Sequence, residues 1–232
     1  MSHLRFRIFV SGLILFGLLL SDNPRDIRAE NKKQDLVCFR WAFGAMIGSK
    51  NDRRLVAITR DTMLKTGDRL KMLVELQKKC FVYLIYHTGQ DELHMLFPYK
   101  IKQFSSDYEL FKKYYIPQGN LWFELDEDVG QETFYLLASA KRLFGLETLL
   151  SEYASARTFK KQEVAKQILA EISKEKRRHK KFVTSPERPV TIGGSVRGMI
   201  KDKKKHSPDI DPIAAEVTAP NFYSRTFTIE HQ

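Results

Sequence analysis

The stretch TGDRLKMLVELQKKCFVYLIYHTGQDELHMLFP, Thr66 to Pro98, carries the pattern that decides the fold. Apolar residues recur at every second position from Leu70 to Leu76, with Lys71 and Glu75 between them, which predicts a strand with one buried face. The next run, CFVYLIYH, is apolar at nearly every position. It predicts a strand that is covered on both faces and is therefore central in its sheet.

The segments around this stretch extend the same pattern. The turn after His87 leads into DELHMLF, a third strand that Pro98 ends because proline cannot donate to a sheet. Further turn-separated runs, NLWFELD and QETFYLLAS, follow without helices between them. The sequence therefore predicts a mainly β fold, an antiparallel β-sandwich-like domain over residues 30–156, which a helix starting near Ala140 closes.

Two C-terminal segments follow this domain. Residues 157–184 have apolar residues at helical spacing and end in KEKRRHKK, which predicts a basic amphipathic helix. Residues 185–232 are rich in proline, glycine and charge up to Pro220, so we expect a flexible tail and a basic, partly disordered arm. The alternation near 222–230 predicts a strand that could add to an edge of the body.

The N-terminal segment has the order of a secretory signal peptide. Arg5 and Arg7 precede an uncharged run from Ile8 to Leu20, and a polar stretch then ends at Ala29. The run is shorter than the roughly 20 apolar residues that cross a bilayer. We therefore predict a signal peptide at residues 1–29 and an exported protein, periplasmic or extracellular, with an uncleaved membrane anchor as the alternative.

The positive charge is concentrated in one part of the chain. The formal net charge is +11, and residues 157–205 hold sixteen Lys and Arg against five acids, so the remainder is neutral. Dense cations bind polyanions, and an anionic envelope surface or an envelope protein would be such a partner; the alternative is a solvated helix end. The cations are Lys174, Lys176, Arg177, Arg178, Lys180 and Lys181.

The chain has two cysteines, Cys38 and Cys80. In an exported protein they could pair, and a disulfide there would stabilise the fold by about 4 kcal/mol. The alternative is two buried thiols that act as small apolar residues.

The histidines of the predicted hairpin are candidates for metal or acid/base chemistry. His87 and His94 lie near Asp91 and Glu92, but the spacing H-x6-H matches no established zinc signature. If the two histidines were neighbours across the strands, they could form a site with a carboxylate. The alternative is a solvated hairpin with polar turn residues.

No other catalytic pattern is present. The sequence contains no Gly-x-Ser-x-Gly, HExxH, Walker loop or GxGxxG, and Gly193–Ser195 lies in the predicted tail rather than between a strand and a helix. The aromatics Trp122, Tyr83 and Tyr86 could form a ligand face, but strand aromatics are typical of a packed core. The sequence thus predicts no catalytic residue, no metal site and no cofactor.

The order of these features resembles a bacterial family, domain of unknown function 4384. A Gly-Asp turn opens a strand, an aromatic strand follows, Leu-Phe-Pro ends the next, and Ile-Pro leads to a Gly-Glu hairpin, all within residues 41–153. The resemblance implies a β-sandwich-like module of exported or membrane-tethered proteins, sometimes joined to peptidase-like or kinase domains, and it supplies no catalytic residues. The matching residues are Gly67, Asp68, Tyr83, Leu96, Phe97, Pro98, Ile116, Pro117, Gly130 and Glu132.

Three functions follow from these patterns. The first is a non-enzymatic, extracytoplasmic binding module of the cell envelope with a basic arm for anionic surfaces or partners. The second is an envelope metal-binding protein or hydrolase that uses the His87 to His94 hairpin. The third, nucleic-acid binding through the arm, requires a cytoplasmic location and is disfavoured by the predicted leader.

Overall fold

The computed structural model of the chain describes residues 35–48, 52–105, 108–179 and 208–232. The predicted leader at 1–29 and the predicted linker up to residue 207 lie outside these ranges. The described residues form a mainly β fold with two helices, as predicted. The strands are β1 Leu36–Ile47, β2 Arg54–Ala57, β3 Thr62–Leu64, β4 Arg69–Leu76, β5 Phe81–His87, β6 Leu93–Phe97, β7 Lys113–Ile116, β8 Phe123–Glu124, β9 Gly130–Ser139, β10 Ala215–Pro220 and β11 Phe222–His231.

The strands form two sheets. Sheet A has the order β10-β1-β4-β7, with β2 paired to β1 and β8 paired to β4. Sheet B has the order β3-β11-β9-β5-β6. All the pairs are antiparallel except β3 with β11, so the predicted antiparallel sandwich has one parallel pair at its edge.

The main core lies between the two sheets. Alternate residues of β1 and β4 meet alternate residues of β5, β9 and β11 there, and Phe43 packs edge-on against Phe134 and Phe227. As predicted, β5 lies inside its sheet, between β9 and β6, and its other face is covered as well.

Two helices cover the outer face of sheet B. They are α1 Phe144–Ser155 and α2 Thr158–Arg178, which pack against each other and bury Leu146, Leu150 and Ile168 against Tyr83 and Ile85. A second apolar core therefore lies between sheet B and the helices, and the fold has three layers.

The outer face of sheet A is covered differently. Residues 209–214, which include a short 3-10 helix, lie over it and bury Ile210 against Ala42 and Leu73. The prediction of one buried face for β4 is wrong, because Lys71 and Glu75 on its other face are buried as well.

The C-terminal residues complete both sheets. β11 pairs with β9 over its whole length and also with β3, so it is an interior strand of sheet B. The edge position predicted near 222–230 is wrong, and residues 208–232 are not a flexible tail. The physical reason is burial, because Phe222 and Ile229 are fully buried on opposite faces of the sheet.

The Gly-Asp turn before β4 shows why those residue types stand there. Gly67 has a φ of 85°, a left-handed conformation that favours glycine. The Asp68 carboxylate accepts the backbone N–H of Lys65 at 2.9 Å and that of Gly48 at 3.3 Å. The turn therefore fixes two loops at the start of the central strand of sheet A.

Candidate functional site

The hairpin of β5 and β6 does not bring its histidines together. His87 stands opposite Leu93 and His94 stands opposite Tyr86, so the two imidazoles lie on opposite faces of sheet B. Each has a local partner instead: His87 Nε2 lies 3.2 Å from Asp91 Oδ1, and His94 Nε2 lies 3.6 Å from Glu92 Oε2. The contact between the histidines that the metal or acid/base hypothesis requires does not form, because neighbouring positions of a strand point in opposite directions. Within the described ranges, no three His, Cys, Asp or Glu side chains are grouped to hold a metal.

The two cysteines are free, buried thiols. The Sγ atom of Cys38 lies on the outer face of β1, 3.5 Å from Thr218 Oγ1, whereas Cys80 belongs to the core between the sheets. The thiol of Cys80 lies 3.9 Å from the carbonyl oxygen of Cys38, and burial raises the pKa of this thiol to about 12. The disulfide that the sequence allowed is therefore not formed and the alternative of two buried thiols holds, because the two thiols lie on opposite sides of the β1 backbone.

The predicted basic helix is docked on the body rather than extended from it. α2 buries Val164, Ile168 and Ile172 against α1 and sheet B, in the predicted i, i+4, i+8 spacing. The end of the helix also contacts β11. Lys176 Nζ donates to Thr226 Oγ1 at 2.9 Å, and the ring of His179 stacks on that of Phe222 with 4.6 Å between the ring centres. The helix is therefore a fixed element of the surface.

A buried glutamate holds the end of α2. Glu175 is 4% exposed and pairs with Arg178 Nη1 at 2.6 Å and with His179 Nε2 at 3.5 Å. Burial lowers the pKa of His179, and this outweighs the opposite effect of Glu175. Part of the predicted positive charge is thus paired with a buried carboxylate.

The six predicted cations fall into three groups. Lys174, Arg177 and Arg178 are exposed, although Lys174 pairs with Glu171 at 2.7 Å and Arg178 with Glu175. Lys176 is half-buried at β11, and Lys180 and Lys181 lie outside the described residues. We define the α2 cation face as the exposed cations on the solvent side of the helix, namely Lys166, Lys174, Arg177 and Arg178.

An exposed aromatic residue stands at the start of the same helix. Phe159 is 74% exposed, and the exposed cations Arg157, Lys160 and Lys161 adjoin it in sequence. The first turn of α2 contains no acidic residue, although acids are the residues that favour a helix N-terminus. The solvent side of α2 therefore combines positive charge with one apolar anchor, an arrangement that suits an anionic interface.

The positions that carry the family resemblance have structural roles. Tyr83 is fully buried, donates to Glu147 Oε1 at 2.7 Å and accepts the backbone N–H of Leu143 at 3.0 Å, and so fixes the start of α1. Burial raises the pKa of Tyr86, and a hydrogen bond to Glu132 adds to this effect. Tyr83 is a core residue, as predicted for strand aromatics, and Tyr86 packs against the core between the sheets.

Sequence reasoning did not identify a cleft beside β7. It encloses about 550 Å3 and opens to solvent at the edge of sheet A. Its walls combine three tyrosine rings with amide and charged side chains. The lining residues are Tyr99, Gln103, Glu109, Lys112, Lys113, Tyr114, Tyr115, Gln118 and Gly119.

The charged groups of the cleft are paired and its tyrosines are fixed. Lys112 pairs with Glu109, and Lys113 Nζ lies 2.9 Å from Asp211 Oδ2 in the cover of sheet A. Tyr115 donates from its hydroxyl to Asp209 Oδ1 at 3.0 Å. The sequence signal for this cleft is the run KKYYIPQGNLW, in which two cations and two tyrosines are followed by turn residues.

Lys71 stands behind one wall of the cleft. It is 4% exposed, donates from Nζ to the Gly119 carbonyl at 2.6 Å, and lies 5.3 Å and 5.6 Å from the ring centres of Tyr115 and Trp122. Burial lowers the pKa of this ammonium, while Asp209 opposes the shift. Lys71 therefore joins the outer face of β4 to the loop that forms the wall.

One family comparison identifies a relationship. Residues 63–142 match the model of the family described as Domain of unknown function (DUF4384). The predicted resemblance is confirmed over this part of the chain, which runs from β3 to the residues just before α1. No curated protein and no solved structure matches the chain.

Proposed function

We propose that this chain is a non-enzymatic binding module of the bacterial cell envelope that attaches to anionic surfaces through α2. The observation that carries the proposal is the docking of α2, which fixes Lys166, Lys174, Arg177 and Arg178 on the solvent side of a packed helix. Because the helix is already ordered, binding does not have to order it, and less free energy is lost on attachment.

The charge balance of α2 sets the expected strength of attachment. A cation near an anionic membrane contributes about 1 kcal/mol, and the pairs with Glu171 and Glu175 reduce this contribution for Lys174 and Arg178. Lys166 and Arg177 are the main contributors on this basis. Phe159 adds apolar contact at the other end of the helix.

The non-enzymatic part of the proposal is supported by the hairpin. His87 and His94 point to opposite faces of sheet B, so they do not provide a shared site for an acid/base pair or a metal. The family match supplies no activity that would require such a site.

The envelope location rests on the leader. Residues 1–29 combine Arg5 and Arg7 with the apolar run that a secretion signal needs. Among the helices in the described parts of the chain, none combines the length and apolar content that crossing a bilayer takes. A reporter enzyme that is active only after export, fused after residue 232, is expected to be active. An inactive fusion would contradict the location.

Vesicle binding tests the attachment itself. We expect the purified protein to pellet with vesicles that contain anionic lipid at low salt and to be released at high salt, because mobile ions screen exposed charges. Vesicles of zwitterionic lipid alone are the control, and they should not pellet the protein. Binding that is equal at both salt concentrations, or equal to both vesicle types, would contradict electrostatic attachment.

A further inference from the structure

We propose that the cleft beside β7 binds an uncharged, hydroxyl-rich ligand, a saccharide chain. This site is separate from the α2 cation face, because the cleft lies at the edge of sheet A and α2 lies on sheet B. The cleft has the size of small-molecule sites, which enclose about 300–1,000 Å3.

The charges of the cleft favour an uncharged ligand. Lys112 is neutralised by Glu109 within the lining, and Lys113 is neutralised by Asp211 from the cover of sheet A. A phosphate or carboxylate ligand would have to share these cations with Glu109 and Asp211, which lowers the free energy gained from binding a negative charge. A wholly apolar ligand would leave the charged groups and the glutamine amides without water or partners, which is costly.

One backbone acceptor at the edge of sheet A is already occupied, which disfavours an added peptide strand. Tyr99 donates from its hydroxyl to the Tyr115 carbonyl at 2.6 Å, and this carbonyl lies on the side of β7 that faces away from β4. An extended peptide that paired with β7 would need that carbonyl as an acceptor. Recognition in the cleft therefore falls to side chains.

The side chains of the cleft match the groups of a sugar. The rings of Tyr99 and Tyr115 provide flat, amphipathic surfaces with a polar end. Gln118 is exposed and offers both a carbonyl and an NH2 group, while Gln103 uses its carbonyl for the Lys100 N–H at 2.9 Å and keeps its NH2 group. Paired donors and acceptors beside aromatic rings suit hydroxyl groups on a carbon ring.

The wall that carries Gln118 is fixed from behind. The ammonium of Lys71 holds the Gly119 carbonyl at 2.6 Å, and Gly119 itself has a φ of 67°. Lys71 is thus a positioning residue for Gln118. A wall that is already in place lowers the ordering cost of binding.

Calorimetry with defined sugars tests the proposal. Protein that lacks the predicted leader, residues 1–29, is titrated with two uncharged trisaccharides, maltotriose and the N-acetylglucosamine trimer, and with inorganic phosphate and an extended nonapeptide. We expect saturable heat with a trisaccharide and none with phosphate or the peptide. Absence of saturable heat with both trisaccharides overturns the proposal, and so does binding of phosphate or the peptide in their place.

A pair of glutamine substitutions places the ligand in the cleft. Gln118→Ala should weaken trisaccharide binding about tenfold, the effect of about 1.4 kcal/mol from lost hydrogen bonds. Gln90→Ala makes the same chemical change in the exposed turn between β5 and β6, and it should leave the affinity unchanged. Equal effects of the two substitutions would overturn the assignment to this cleft.

Lys71→Met tests the positioning role. It should lower the affinity for the trisaccharide as much as Gln118→Ala does. The double variant should bind no more weakly than either single variant, because both substitutions act through Gln118. Additive losses would show that Lys71 does not act through this wall.

Discussion

The two outer faces of the sandwich are covered in opposite ways. Sheet B is sealed by α1 and α2, which contribute Leu146, Leu150 and Ile168 to a continuous apolar core. In the described residues, sheet A is covered by residues 209–214 together with Tyr115 and Trp122, and the charged side chains of Lys71 and Glu75 are buried on this face. The first cover stabilises the fold by removing apolar surface from water, whereas the second holds polar groups in position beside an open cleft.

The largest expected effect on stability lies on the outer face of sheet B. Ile168→Ala removes a fully buried side chain from the core under α2 and should lower the free energy of unfolding by about 2–5 kcal/mol. Urea denaturation measures this change. Lys166→Ala, on the solvent side of the same helix, should stay within about 0.5 kcal/mol. A loss below 1 kcal/mol for Ile168→Ala would mean that α2 is not part of the folded core.

The polar link across the sealed face should have a smaller effect. Tyr83→Phe removes the hydroxyl that joins Glu147 Oε1 and the Leu143 N–H, and leaves both buried groups with one partner fewer. We expect a loss of about 1–3 kcal/mol in the free energy of unfolding.

The control for this substitution is Tyr135→Phe in β9. The Tyr135 side chain lies on the same face of sheet B, and no hydrogen bond joins its hydroxyl to the described residues. Tyr135→Phe should leave the free energy of unfolding almost unchanged. If both substitutions had the same effect, the link from β5 to α1 would contribute nothing specific.

On the outer face of sheet A, a substitution should change ligand binding without a large change in stability. Lys71→Met replaces a buried ammonium by an apolar side chain of similar length, so the loss of the hydrogen bond to Gly119 is offset by the removed desolvation cost. We expect the free energy of unfolding to change by less than about 1.5 kcal/mol. A larger loss, measured by urea denaturation, would show that Lys71 holds the fold rather than the cleft.

The smallest effect is a pH dependence at the end of α2. Burial lowers the pKa of His179 in the folded protein, while the unfolded chain keeps the ordinary value near 6.5. Below that pH the unfolded state binds more protons, so this group makes the folded protein less stable as the pH falls. Above it, the group adds no pH dependence.

Urea denaturation at pH values on both sides of 6.5 measures this effect. His179→Gln should lower the slope of stability against pH in the acid range, since the other titrating groups are common to both proteins. An unchanged slope would contradict a half-buried His179 whose pKa is lowered.

The sequence was most informative where contacts are local. The alternation from Leu70 to Leu76 and the apolar run at β5 predicted the adjoining strands, and the spacing of Val164 and Ile168 predicted α2. These patterns depend on residues within one element.

The sequence did not reveal how segments that are far apart in the chain pair with each other. Residues 185–220 are rich in proline, glycine and charge, yet Ile210 and Ala214 are buried on sheet A. β11 pairs with β9 across more than eighty residues of chain, and its alternation fits an edge strand and an interior strand equally well. The cleft was missed for the same reason, because Lys71, Tyr99 and Asp211 come together only through the tertiary fold.

The most direct test of attachment through α2 compares equal charge changes on the α2 cation face and elsewhere on the surface. Lys166→Glu with Arg177→Glu reverses two exposed cations of the α2 cation face, and Arg54→Glu with Lys65→Glu makes the same change in net charge elsewhere on the surface. Both variants are pelleted with anionic vesicles at low salt. We expect the α2 variant to bind at least about thirtyfold more weakly, since each lost cation contributes about 1 kcal/mol, and the second variant to bind much as the unchanged protein does. Equal losses in the two variants, or none in the α2 variant, would contradict attachment through α2.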